Sequence, residues 1–94
     1  MKNNLKEIQV FYRFLYRSYT KEDYYESVYY NLWQYYRTKI RDLYIGKYIT
    51  YNDEKCLCID FLSYNGSIVF SFKSPGDAAS FSLNVSNLEG INFE

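Results

Sequence analysis

From Asn4 to about Tyr19 the apolar residues Leu5, Ile8, Phe11, Tyr12, Leu15, Tyr16 and Tyr19 recur at intervals of three and four, which predicts an amphipathic helix. Thr20 then offers a capping hydroxyl with Asp23 three positions on, and Glu22 and Asp23 suit the positive end of a new helix dipole. A second helix is therefore expected from about Lys21. It should run to about Ile45, because Arg37, Lys39 and Arg41 favour its negative end and Gly46 can take the left-handed conformation that stops it. So short a link makes the two helices an antiparallel hairpin.

After Gly46 the period of the pattern becomes two. KYITY, CLCIDFL, SIVFSFK and AASFSLNV read as four strands, and INFE adds a short fifth after the turn-like SNLEG, with a helical turn at residues 86–90 just before it. Asn52-Asp53, Asn65-Gly66 and Ser74-Pro75-Gly76-Asp77 punctuate the runs, and Asn-Gly is the strongest short hairpin signal. Ala79, Phe81, Leu83 and Val85 alternate with Ser80, Ser82 and Asn84, so one face of the meander is expected to be buried and the other wet.

Five short strands with this spacing resemble an SH3-like small barrel over the second half of the chain only, and the resemblance implies an architecture without a partner. A barrel of roughly 50 residues buries too little surface to stand alone, and a helical hairpin packed on its open side supplies the rest. The expected fold is thus α+β. Residues 1–45 form an N-terminal antiparallel helical hairpin, residues 46–94 a four- to five-stranded antiparallel meander or SH3-like small barrel, and 1–94 a single domain.

Charge refines this picture more than it directs function. Eleven basic residues balance eleven acidic ones with no histidine, so the global field favours neither nucleic acid nor a charged substrate. The distribution is uneven: residues 1–45 carry roughly +3 and residues 46–94 roughly −3. Ten of thirteen tyrosines precede Gly46, whereas five of seven phenylalanines follow it. The two halves must therefore bury and display different surfaces.

On a helical wheel from Tyr24 at about 100° per residue, Val28, Leu32, Tyr25, Leu43, Tyr36 and Tyr29 fall in one sector, the expected core of the second helix. Tyr24 and Tyr35 lie on one shoulder, Trp33 and Tyr44 on the other, and Tyr30 sits among Gln34, Arg37 and Arg41. The apolar arc spans about 200°, nearly twice what one packing face requires. On the first helix Val10 and Phe14 lie opposite the apolar face, beside a basic stripe of Lys2, Lys6, Arg13 and Arg17. Tyr, Trp and Arg together are the composition of an interface hot spot. The expected contact residues are accordingly Phe14, Tyr24, Tyr30, Trp33 and Tyr35, flanked by Arg13, Arg17, Arg37 and Arg41.

Enzymatic chemistry finds little to stand on. Without histidine, Ser-His-Asp and Cys-His arrangements cannot form within one chain. Cys56 and Cys58 supply at most two thiolates where zinc takes four ligands, and alternate strand residues diverge too far for an unstrained disulfide. The four glycines are scattered over turns, so no loop cradles a phosphate. No metal or cofactor is expected. The N-terminal residues lack a signal-peptide core and no run approaches the ~18 apolar residues of a membrane span, so a soluble cytoplasmic chain without membrane contact is expected.

The leading expectation is a non-enzymatic protein-binding module that occludes a surface of a host protein or ribonucleoprotein complex, as a monomer or homodimer. In its Asn, Ile, Lys, Tyr and Phe excess, small size and neutrality the chain is similar to phage and mobile-element inhibitors of the anti-CRISPR or other anti-defence type. The alternative is a nucleic-acid or ribonucleoprotein contact through Lys2, Lys6, Arg13 and Arg17, with Tyr16 stacking on bases.

Overall fold

The computed structural model of the protein describes residues 5–21, 28–76 and 79–94. Two helices, α1 (Leu5–Tyr19) and α2 (Val28–Tyr44), precede four strands, β1 (Tyr48–Tyr51), β2 (Glu54–Tyr64), β3 (Ser67–Lys73) and β4 (Ser80–Asn84), and a 3₁₀ turn at Val85–Leu88. The strands form one antiparallel sheet in the order β1-β2-β3-β4, and the helices pack on it. This is the α+β arrangement the two periods predict. α1 closes with the Thr20 amide donating to the Tyr16 carbonyl at 3.1 Å, while the Thr20 hydroxyl donates to the Arg17 carbonyl at 3.0 Å. Thr20 thus finishes α1, and the expected cap at Glu22 and Asp23 lies outside the described residues. Gly46 takes φ 87° after α2, the left-handed stop its position called for.

The meander follows from its turns. Asn52 and Asp53 have φ of 51° and 65°, and Asn65 and Gly66 have 51° and 86°, so both two-residue links have the double positive φ of the hairpin turns whose twist matches the strands. Register then places Ile49 opposite Cys56, Cys58 opposite Phe72, and Phe70 opposite Leu83, all on the buried face. One irregularity keeps that face apolar. Cys58 pairs with Phe72 and Asp60 with Ser71, which leaves Ile59 bulged, and the inward positions change from even (Cys56, Cys58) to odd (Phe61).

The sheet does not close into the barrel that strand count suggested. β4 pairs only with β3, and residues 91–94 form no ladder strand; they run along the outer edge of β1, where Tyr48 and Glu94 exchange backbone hydrogen bonds of 2.9 and 2.8 Å. The physical reason is that the concave face is already filled. Tyr44 of α2 meets Phe70 and Phe93 at ring-centroid distances of 5.4 and 4.8 Å, and Phe61 and Phe72 complete the layer, so helices rather than a closing strand cover it.

α1 is fixed over the β2–β3 turn by three side chains at consecutive turns of its inner face. The buried Gln9 amide donates to the Gly66 carbonyl at 2.8 Å and accepts from the Ile68 amide at 2.7 Å. Arg13 donates to the Ser67 hydroxyl at 3.2 Å, and the Tyr16 hydroxyl donates to Asn65 Oδ1 at 3.2 Å. Gln9 satisfies two backbone groups that would otherwise be buried unpaired, which is why a polar residue is tolerated in the stripe between Leu5 and Tyr12.

Candidate functional site

Helix α2 is turned about a quarter revolution from its expected setting. Its buried residues are Trp33, Ile40 and Tyr44, whereas Val28, Leu32 and Leu43, expected in the core, are 69, 38 and 45 % exposed. The rotation follows from side-chain size: Trp33 and Tyr44 bury more area than Val28 or Leu32 could, and Ile40 lies beside Trp33 on the wheel, on the side away from Tyr44. Tyr25 and Tyr24 fall outside the described residues.

The expected display of Trp33 is corrected by this setting. Its ring is 8 % exposed and is enclosed by Tyr12, Tyr16, Tyr19 and Tyr30 at centroid distances between 5.0 and 6.3 Å, with the Arg37 guanidinium 4.9 Å over its face. Tyr30, expected as an exposed ring, is half-buried against Tyr19 at 5.4 Å and accepts a 2.8 Å hydrogen bond from Gln34. Arg37 is half-buried on Trp33, and Arg41 reaches Asp60 at 3.6 Å and the Phe61 carbonyl at 3.4 Å, tying α2 to the bulge. Trp33, with Arg37 stacked on it, and Tyr30 thus hold the two helices together, and Arg41 holds α2 to the sheet. The Tyr12 hydroxyl, Trp33 Nε1 and Arg37 Nε are buried without a hydrogen-bond partner among the described residues, a cost the ring contacts must offset.

Burial pushes the Tyr12 phenol above its ordinary value, with Ser63 and Arg37 pulling the other way, and burial likewise raises Tyr44. The folded state therefore keeps protons that the unfolded chain releases above about pH 10. This contribution to stability is fully present below that pH and is lost as pH rises through the raised folded values. Because burial also raises the Cys58 thiol, urea midpoints measured from pH 8 to 12 should begin to fall near pH 9 and fall more steeply beyond about pH 10, and Tyr12→Phe should flatten only the steeper part. A midpoint independent of alkaline pH would contradict the assignment.

One member of the basic stripe, Arg13, is spent on the fold as well. Arg13 and Tyr16 serve the β2–β3 turn, Lys6 approaches Glu89 at 4.0 Å on the surface, Arg17 is exposed, and Lys2 lies outside the described residues. A stacking role for Tyr16 meets a ring packed at 5.4 Å against Tyr19. A cleft of about 480 Å³ between α1 and the β4 end of the sheet is lined in part by groups already hydrogen-bonded within the fold: Gln9 on Gly66, Arg13 on Ser67 and Asn84 on Asn87. Burial pushes the Cys58 thiol up to about 12, which suits a core residue and not a nucleophile. Among the described residues no group of three or more potential metal ligands occurs.

What the hairpin does display is a band of rings on its outer face. Phe14 and Tyr35, both expected there, are 53 and 54 % exposed. Phe11, Val10, Val28 and Leu32 join them, and Phe11 contacts Tyr36 at 5.0 Å and Phe14 at 6.4 Å, while Phe14 meets Tyr29 at 6.0 Å and Tyr35 meets Tyr36 at 5.6 Å. Lys39 holds its ammonium 5.2 Å from the Tyr35 ring centroid. A groove of about 210 Å³ runs beside the rings, lined by Glu7, Ile8, Phe11, Tyr12, Tyr36 and Ile40. Phe11 escaped the sequence reading because it lies at the edge of the α1 stripe, where a small rotation decides between core and solvent.

No helix among the described residues is long and apolar enough to cross a membrane. No protein-family model, curated protein or solved structure matches the chain.

Proposed function

We propose that this chain is a non-enzymatic protein-binding module whose contact surface is the outer face of the helical hairpin, centred on Phe11, Phe14 and Tyr35. The observation that carries the reading is the continuity of the exposed apolar band. With aromatic side chains worth ~150–250 Å² each, its half-exposed rings and neighbouring aliphatic chains present on the order of 600 Å². That is the upper end of the roughly 300–600 Å² found for the largest patch on a monomer, where such patches are often functional. Rings already held against Tyr29 and Tyr36 lose little entropy on docking, which favours binding by preorganised aromatic anchors. In its most specific form the module is a cytoplasmic inhibitor that occludes a host protein, of the anti-CRISPR or other anti-defence type carried by phages and mobile elements. Its compositional likeness to such proteins and its neutral charge support that form. The nucleic-acid alternative rests on the exposed Lys6 and Arg17, while Arg13 and Tyr16 also hydrogen-bond to the β2–β3 turn.

The test is a pair of variants on the displayed rings. Phe14→Ala with Tyr35→Ala should leave the thermal midpoint within a few degrees of the parent chain, since exposed positions change stability by about 0.5 kcal/mol or less. Capture of the partner from a host lysate should fall by tenfold or more, as expected on removing two hot-spot rings at about 1.4 kcal/mol or more together. Unchanged capture by a folded double variant would overturn the reading.

A further inference from the structure

We infer that a second copy of this chain covers the hairpin's outer face, packed about a two-fold axis that runs parallel to α1 and α2. The inference rests on the reading of that face as a contact surface and names its occupant. Its basis is the placement of two charges. Phe11 meets Tyr36 and Phe14 meets Tyr29, so the helices run antiparallel and the Phe11–Tyr36 contact fixes a common level. Glu7 lies four residues before Phe11 and Lys39 three after Tyr36, and both displacements run toward the same end of the hairpin. At a rise of about 1.5 Å per residue they amount to about 6 and 4.5 Å, so Glu7 and Lys39 stand nearly level on opposite sides of the groove. Both are exposed, and neither has an ion-pair partner among the described residues.

An acidic group on one side of an apolar strip and a basic group at the same height on the other make that strip complementary to itself. Rotation about an axis parallel to the helices sets α1 of one copy against α2 of the other. Glu7 then faces the second copy's Lys39, and by symmetry Lys39 faces the second copy's Glu7, as an isologous interface requires. Both charge pairs lie at the same end of the hairpin, and beyond them along the helices the rings of both copies meet in a four-helix layer. The exposed apolar band, on the order of 600 Å², together with a polar rim approaches the ~800 Å² per partner of a standard interface. A foreign protein that used the same rings would have to displace the second copy, so its binding should dissociate the dimer.

Sedimentation of the full chain from micromolar to several hundred micromolar tests the inference. The parent chain should show a concentration-dependent two-copy mass, and Phe14→Glu with Tyr35→Glu should sediment as a monomer with an unchanged far-ultraviolet spectrum. Glu7→Lys and Lys39→Glu should each weaken the dimer by about tenfold or more, because every single reversal replaces two opposite-charge pairs with two like-charge pairs. Combining the two reversals should restore association, which a merely apolar contact would not do. A parent chain that stays monomeric throughout, a dimer that survives the ring substitutions, or reversals that do not rescue each other would each overturn the proposal. Failure here stays separable from failure of the contact surface. A monomeric parent that still loses lysate capture through Phe14→Ala and Tyr35→Ala keeps the surface without the dimer, and a dimer whose capture is insensitive to those rings keeps the dimer without a foreign partner.

Discussion

Replacing Trp33 with alanine should cost about 3–5 kcal/mol of folding stability, the range for removing a large buried aromatic. The figure follows from its surroundings. Four tyrosine rings and the Arg37 guanidinium contact the indole, and three of those rings, Tyr12, Tyr16 and Tyr19, come from α1. Truncation would leave a cavity that rigid rings cannot collapse to fill. A domain of this size has roughly 5–15 kcal/mol in total, so the variant should lose about a fifth or more of its stability and melt on the order of 15 °C lower. Trp33→Phe should recover part of that loss. As the sole tryptophan, Trp33 also reports on itself: its emission should be blue-shifted and shielded from acrylamide in the native state and become red-shifted on unfolding. A Trp33→Ala chain that melts with the parent, or a native emission typical of a solvated indole, would return this residue to the displayed surface.

The contrast between Trp33 and Phe14 shows where the sequence was readable. Features set by neighbours along the chain were legible: the three-four spacing of α1, the Asn52-Asp53 and Asn65-Gly66 turns, and the stop at Gly46 each depend on residues within one turn of themselves. The rotation of α2 was not. Its apolar arc is so wide that local spacing permits several settings, and only contacts with Tyr12 and Phe61, distant in sequence, select the one that buries Trp33, Ile40 and Tyr44. The same rotation exchanged members of the candidate surface, placing Leu32 outside and Trp33 inside while leaving Phe14 and Tyr35 displayed. The change of inward parity around Ile59 was not legible, since Cys56, Leu57, Cys58, Ile59, Phe61 and Leu62 are all apolar and leave no alternation for a bulge to interrupt. Gln9 carried a weak signal as the polar position in an otherwise apolar stripe. Its role depends on Gly66 and Ile68, 57 and 59 residues away, and no local pattern specifies them.

Gly66→Ala should be the most damaging of the four glycine-to-alanine changes, because two independent costs coincide there. The residue has φ 86°, and a left-handed L-alanine costs about 1–2 kcal/mol. The new Cβ would also lie 3.0 Å from the Tyr16 Cβ and 3.1 Å from the base of its ring, parts of the side chain that cannot swing away without moving α1. Such overpacking costs about 1–3 kcal/mol more, for a total of about 2–5 kcal/mol. Gly90→Ala is the matched control: its φ is 79° and nothing lies within 4 Å of an added Cβ, so it should show the backbone cost alone. The difference between the two urea midpoints then measures how tightly α1 rests on the β2–β3 turn. Gln9→Ala approaches the same contact from the helix side, leaving the Gly66 carbonyl and the Ile68 amide buried without their partner at about 1–3 kcal/mol each. If α1 and the turn are one cooperative unit, the Gln9→Ala and Gly66→Ala double variant should lose less than the two single losses added together, since the first change already frees the helix to move off the turn. Strict additivity, or equal costs at Gly66 and Gly90, would mean that α1 does not bear on this turn as closely as the Tyr16 contact requires.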